Sequence, residues 1–186
     1  MTTKPQSESK TALIIIMVLP IAIILLSTFV FFTGIGAPDG TKNQGDLINP
    51  ARSLQDANVP FSVPEGQRKP LWTLVQVGET YCAEQCLESL RYSRQMHKSL
   101  GRRTPGLRRQ YWHAEGTELS ASQMEEFINL EQVALPETFL TLTNDLPKAR
   151  YYLIDPRGFL MMQYNESHDY KQMIKDLKFL LTQSGY

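Results

Sequence analysis

One block constrains this chain more than any other: a buried strand that runs into two cysteines and then a helix, between Leu71 and Leu100. Leu71, Trp72, Leu74, Val75 and Val77 form a nearly continuous apolar run, which suits a central strand covered on both faces. Gly78 and Glu79-Thr80 break it, and Tyr81-Cys-Ala-Glu-Gln-Cys86 follows at once. From Ala83 onward the residues are good helix formers, ending near Leu100 with Gly101 as the C′ residue. Cys82 and Cys86 are the only 2 cysteines in 186 residues.

Placed four apart on the first turns of a helix, the two sulfurs share one face. Their Cα atoms then lie about 6 Å apart, within the range of roughly 4.4–6.8 Å that a disulfide tolerates. Two thiolates on one face also suit a soft, low-coordinate ion such as Cu(I). The positive end of the helix favours the thiolate form of either. An inert structural bridge and a pair of buried thiols fit the same spacing, so the cysteines alone leave redox, copper and purely structural roles open.

Elsewhere the chain divides into parts by composition. Residues 1–11 are a polar tail carrying Lys4 and Lys10. Ala12 to Phe32 then runs without a charge, long enough to cross about 30 Å of hydrocarbon. This run exceeds the h-region of a cleaved signal peptide, and Pro38 spoils the small-residue stretch Gly34-Ile-Gly-Ala37 as a cleavage site. We expect an uncleaved, single-pass signal anchor over 12–32, in the inner (cytoplasmic) membrane. The lysines of the tail put the N-terminus inside and the C-terminal domain in the periplasm. Residues 33–66, scattered with Gly and Pro, are expected as a linker or lead-in, with Asn49-Pro-Ala-Arg-Ser-Leu54 packing locally and Phe61 and Val63 as anchors. Residues 67–186 make the folded domain. With 19 basic and 19 acidic residues, charge gives no reason to expect a nucleic-acid partner.

Within the domain, Arg91, Arg94, Lys98, Arg102, Arg103, Arg108 and Arg109 form a basic cluster, either a docking face or a solvated one. Leu107 to His113 reads as a second strand. Ser122-x-x-Glu125 matches a capping box, opening a helix through about Glu131. Val133 to Leu146 holds a short buried element of unassigned type. Tyr151-Tyr-Leu-Ile154, the turn Asp155-Pro-Arg-Gly158 and Phe159 to Tyr164 make an antiparallel hairpin. Met173, Ile174, Leu177, Leu180 and Leu181 line an amphipathic closing helix that Asp169 caps. Strand, helix, strand, helix, hairpin, helix is the thioredoxin plan: an α/β fold with a mixed sheet and helices on both faces, here behind one N-terminal transmembrane helix. Its cysteines fall at the carboxyl end of a strand, where open α/β sheets place their sites.

Trp72-Thr-Leu-Val-Gln-Val77, Cys82-x-x-x-Cys86 and Tyr152-Leu-Ile-Asp-Pro-Arg-Gly158 together resemble the membrane-anchored thioredoxin-like proteins of cytochrome c oxidase assembly, related to the Sco (SenC) copper chaperones. The likeness runs from about Gly66 to the C-terminus. It implies a factor for the CuA site of oxidase subunit II, acting by Cu(I) delivery or thiol reduction through Cys82 and Cys86. The Sco family adds a histidine ligand just ahead of the strand that here begins near Tyr151. The equivalent position is Pro147, so that ligand is missing from its family place. His97 lies about 16 Å along the helix from Cys86, too far to share an ion. His113 ends a strand, and His168 follows the second hairpin strand, which makes it the remaining candidate third ligand. Thioredoxin-type reductases set a cis-proline opposite their cysteines, and Pro147 stands near that place as a candidate cis-proline or active-site neighbour. The alternatives are a general periplasmic thiol–disulfide oxidoreductase and a non-catalytic membrane-anchored scaffold with a structural disulfide.

Overall fold

The computed structural model describes residues 7–33, 43–62, 64, 69–78 and 81–186, with the backbone alone for 7–10. The expectations attached to Lys4, to Gly34 through Lys42, to Val63, to Gly66 and to Glu79-Thr80 lie outside the described residues.

The chain forms two units, residues 1–41 and 42–186. The first holds helix α1, Ser7–Thr33. Its stretch Thr11–Thr33 has a mean hydropathy of 3.0, with the length and composition to cross a membrane. Thr28 and Thr33 turn their hydroxyls back on the carbonyls of Ile24 and Phe29, at 2.8 and 2.7 Å, so neither leaves an unpaired donor on an apolar helix.

The second unit is a six-stranded mixed sheet in the order β1-β6-β5-β2-β3-β4. The strands are β1 Asp46–Ser53, β2 Trp72–Gly78, β3 Leu107–His113, β4 Leu130–Ala134, β5 Tyr151–Ile154 and β6 Phe159–Tyr164. β2 pairs in parallel with β3, and β3 with β4; β5 and β6 run antiparallel to their neighbours. Helices α2 (Glu84–Ser99), α3 (Ala121–Glu126), α4 (Glu137–Thr143) and α5 (Tyr170–Gln183) complete the fold. Alternation along β2 sorts the core. Trp72 and Leu74 face Met96, Leu100, Met173 and Leu177 of α2 and α5. Val75 faces the opposite way, toward Phe139 of α4, Trp112 and Tyr152. Helices thus cover both faces, as the thioredoxin plan expects.

Three regions differ from the sequence expectations. The stretch 33–66 supplies a strand, since β1 pairs antiparallel with β6 at the sheet edge. An edge strand tolerates Pro50, which is what hides it in the sequence. The lead-in is tied down by buried Asp176, whose carboxylate accepts from the Gln44 and Gly45 amides at 2.9 Å each and from the Tyr164 hydroxyl at 3.2 Å. The capping box belongs to Ser120 and Gln123, not to Ser122 and Glu125. Ser120 is extended and accepts from the Gln123 amide, while Gln123 accepts from the Ser120 amide. That helix stops at Glu126, because Phe127 turns into the core and Asn129 takes a positive φ of 61°. Val133 to Leu146 resolves into the end of β4 and all of α4. The hairpin and its turn stand as read, with Gly158 at φ 86° and Asp155 accepting from the Arg157 and Phe159 amides.

Three members of the basic cluster are not free surface charges. Arg109 is 1% exposed, Arg108 is largely buried against Thr73 and Ser62, and Arg91 pairs with Glu84 and Glu126.

Burial of aromatic hydroxyls predicts alkaline instability. Burial pushes Tyr111, Tyr151 and Tyr164 above the ordinary phenol value. Unfolded tyrosine ionises near pH 10, so the stabilisation these groups give is complete below that pH and is lost above it. Each contributes a slope of up to about 1.4 kcal/mol per pH unit. Burial pulls Arg109 down to about 10, which works in the opposite sense over the same range. Three phenols outweigh one guanidinium, so urea midpoints measured at pH 9, 10 and 11 should fall, less steeply in Tyr164→Phe. A flat profile would contradict this balance.

Candidate functional site

The two cysteines meet at the carboxyl end of β2, but they do not share a helix. α2 begins at Glu84, with Ala83 extended at φ −74° and ψ −176° as its N-cap. Cys82 therefore lies ahead of the helix and Cys86 in its first turn, a correction to the one-face expectation. The turn brings their Cα atoms to 5.1 Å, and the pair is joined as a disulfide. No cysteine is free.

Their surroundings differ. Cys82 is 3% exposed and packs with Leu90, Tyr111, Leu119, Phe127 and Leu130. Cys86 is half-buried and lines a cleft of about 1120 Å³. The cleft is walled by the end of β2, the start of α2, α4 and the segment that leads into β5.

Gln76 and Tyr111 support the Cys86 side from beneath. Gln76 shares a face of β2 with Trp72 and Leu74, which points it at α2. Its Nε2 donates to the Cys86 carbonyl at 3.1 Å and lies 3.5 Å from Cys86 Sγ. Gln76 Oε1 is buried without a hydrogen-bond partner among the described residues. The Tyr111 hydroxyl sits 3.8 Å from the same sulfur, and burial keeps it protonated as a donor. Gly78 allows this approach, because a Cβ there would stand 2.2 Å from the Tyr111 hydroxyl. Neither Gln76 nor Tyr111 was anticipated as a site residue. The available signal was a single amide inside an otherwise apolar central strand.

The remaining expected residues scatter. His97 is buried, with Nε2 2.9 Å from the Leu107 carbonyl, and burial lowers its proton affinity. His113 closes β3, its Nδ1 3.0 Å from the Ala114 carbonyl and 3.7 Å from Glu118. His168 is engaged by Asn165, at 2.9 Å, and stands 3.8 Å from Asp46. It lines a smaller cavity with Tyr92, Met96 and Tyr170, not the cleft of Cys86. Pro147 lies in the segment before β5, whose neighbours Leu146 and Lys148 line the cleft. Among the described residues the cis peptide bond is Asn49–Pro50, so of the two candidate roles of Pro147 the cis-proline one is corrected and the active-site neighbour one is left. No group of three or more His, Cys, Asp or Glu suited to a metal ion occurs among the described residues.

A family model described as transmembrane-like, thioredoxin-like, C-terminal domain matches residues 72–184. Among solved structures, apo Sco1 from Thermus thermophilus is 12% identical, covering 78% of this chain and 99% of that one at a TM-score of 0.50. A SCO1/SenC family lipoprotein from Bacillus anthracis is 16% identical, covering 76% and 97% at 0.47. Copper-bound yeast Sco1 is 12% identical, covering 79% and 96% at 0.47. At these identities the likeness is one of fold. No sequence among the curated proteins matches.

Proposed function

The chain belongs to the transmembrane-like, thioredoxin-like family, and from that premise we propose that it is a membrane-anchored periplasmic thiol–disulfide factor for cytochrome c oxidase, serving the CuA cysteines of subunit II. The observation that carries this reading is the Cys82–Cys86 disulfide at the carboxyl end of β2, with Cys86 facing a cleft. Disulfide exchange needs an incoming thiolate to reach one of the two sulfurs, and the cleft supplies that access. A bridge that served only to staple the fold has no need of it. The anchor α1 supports action at a membrane, and the tail lysines support an N-inside orientation. The oxidase as target is supported by the three sequence motifs that resemble the assembly proteins.

Cu(I) is a second reading, as cargo rather than as a resident cofactor. It is favoured by the closeness of the two cysteines, since a reduced pair offers two thiolates for near-linear coordination. Pro147 in the family's histidine position, and the engagement of His168 by Asn165, leave this set at two sulfurs. Thiol reduction is therefore the leading activity and copper transfer the subordinate one.

Deleting the gene is the test. CuA occupancy and oxidase activity are expected to fall, with partial recovery on added copper if the chain also carries Cu(I). Oxidase activity unchanged at low copper would favour a general periplasmic oxidoreductase or a non-catalytic scaffold instead.

A further inference from the structure

We infer that Cys86, and not Cys82, is the sulfur that exchanges with a partner, with Gln76 and Tyr111 as its positioning residues and Cys82 as the resolving thiol. This rests on the thiol-exchange reading above and goes further, because it assigns a direction to the pair. Access is the first ground: Cys82 is 3% exposed within an apolar cluster, whereas Cys86 lines the cleft. Attack on a sulfur requires an approach along the S–S axis, and only the cleft side is open to a second protein.

Charge is the second ground. A Cys86 thiolate would accept from Gln76 Nε2 and from the Tyr111 hydroxyl, now 3.5 and 3.8 Å from its sulfur. Among the described residues no polar side chain donates to the Cys82 sulfur. An apolar setting without donors holds a thiol protonated, while two donors favour the thiolate. Cys86 is also the third residue of α2, within the turn where the helix dipole favours negative charge. Gly78 fits this arrangement, since any side chain there would displace the Tyr111 hydroxyl.

The step starts from the reduced pair, which a dithiol donor protein regenerates from the Cys82–Cys86 disulfide by the reverse exchange. The Cys86 thiolate attacks one sulfur of a partner protein's disulfide. A Cys86–partner bond forms, the partner's S–S bond breaks, and its other sulfur leaves as a thiolate that takes the Cys82 proton. The Cys82 sulfur then attacks Cys86, restoring the Cys82–Cys86 bond and releasing the first partner sulfur as a thiolate. Two electrons pass from the pair to the partner, whose disulfide becomes a dithiol.

The full chain in detergent provides the test. The lone Cys86 of Cys82→Ser should react with dithiobis-nitrobenzoate at least about tenfold faster at pH 7 than the lone Cys82 of Cys86→Ser. Loss of the bridge frees both segments, so the wild type supplies a second measurement. Oxidised wild type treated with reduced glutathione and quenched in acid should carry the adduct on Cys86. Tyr111→Phe and Gln76→Leu, made in the Cys82→Ser chain, should move the pH midpoint of Cys86 reactivity upward, which a merely structural role would not do. Equal rates, or an adduct mainly on Cys82, would overturn the assignment while leaving the functional reading intact. A wild-type disulfide that resists both glutathione and dithiothreitol would instead end the functional reading, and the single-cysteine rates would still decide the polarity.

Discussion

Cys86→Ser is expected to restore no more oxidase than an empty vector when it is returned to a deletion strain. In vitro, reduction of a protein disulfide should fall at least about 100-fold, to the background rate. A serine hydroxyl does not ionise at neutral pH and forms no covalent link with sulfur, so neither half of the exchange remains. The loss has to be separated from unfolding. A bridge between residues 82 and 86 closes a short loop, and the chain-entropy estimate for such a loop is about 2 kcal/mol. For a chain of this size that is a drop of roughly 4–8 °C in Tm. Cys82→Ser removes the same bond, so it controls for stability. Cys82→Ser should melt no higher than Cys86→Ser, because it also buries a hydroxyl in the apolar cluster around residue 82, yet only Cys82→Ser keeps the accessible sulfur and traps a mixed disulfide with its partner.

Arg109→Ala should give the largest loss of stability of any single change considered. The guanidinium is 1% exposed and ties three elements together. Its Nη2 donates to Ser93 Oγ at 2.8 Å and to the Leu90 carbonyl at 3.2 Å, and its Nη1 donates to the Ile128 carbonyl at 3.4 Å. It thus links β3 to the middle of α2 and to the turn before β4. Alanine would leave a cavity and strip these acceptors of a charged donor, a cost of about 3–5 kcal/mol. Arg109→Met fills much of the space and removes a buried charge, so it should cost clearly less. Chemical denaturation of the two variants checks the order, and equal, small losses would contradict the linking role.

Periodicity made much of this architecture legible. β2, β3 and the hairpin carry apolar strand runs and α5 an apolar helical stripe, while Gly101 marks the end of α2, Gly158 the hairpin turn and Asp169 the start of α5. β1 escaped because Asn49-Pro50 breaks its pattern, and only pairing with β6 makes it a strand. The start of α3 was misplaced because Ser120 and Ser122 both precede an acid or amide by three residues. The competition was settled by the backbone, with Ser120 extended. Arg109 looked like part of a basic surface because sequence counts charge and not direction. Alternation along β3 turns it inward, beside Leu107 and Tyr111.

The site was half legible. A lone pair of cysteines between a strand and a helix is visible in the residues. The asymmetry between them is not, since it arises where Leu119, Phe127 and Leu130, distant in sequence, close over Cys82. Gln76 and Tyr111 come together from adjacent parallel strands, paired in register, and no spacing rule connects residues 35 apart.

The reduction potential of the Cys82–Cys86 couple tests the central claim most directly. The full chain, equilibrated in detergent against graded dithiol–disulfide buffers and then alkylated, yields it from the fraction reduced. A working exchange pair should lie between about −120 and −270 mV, the span of thiol–disulfide oxidoreductases. A value below about −300 mV would place it among structural bridges and contradict the account.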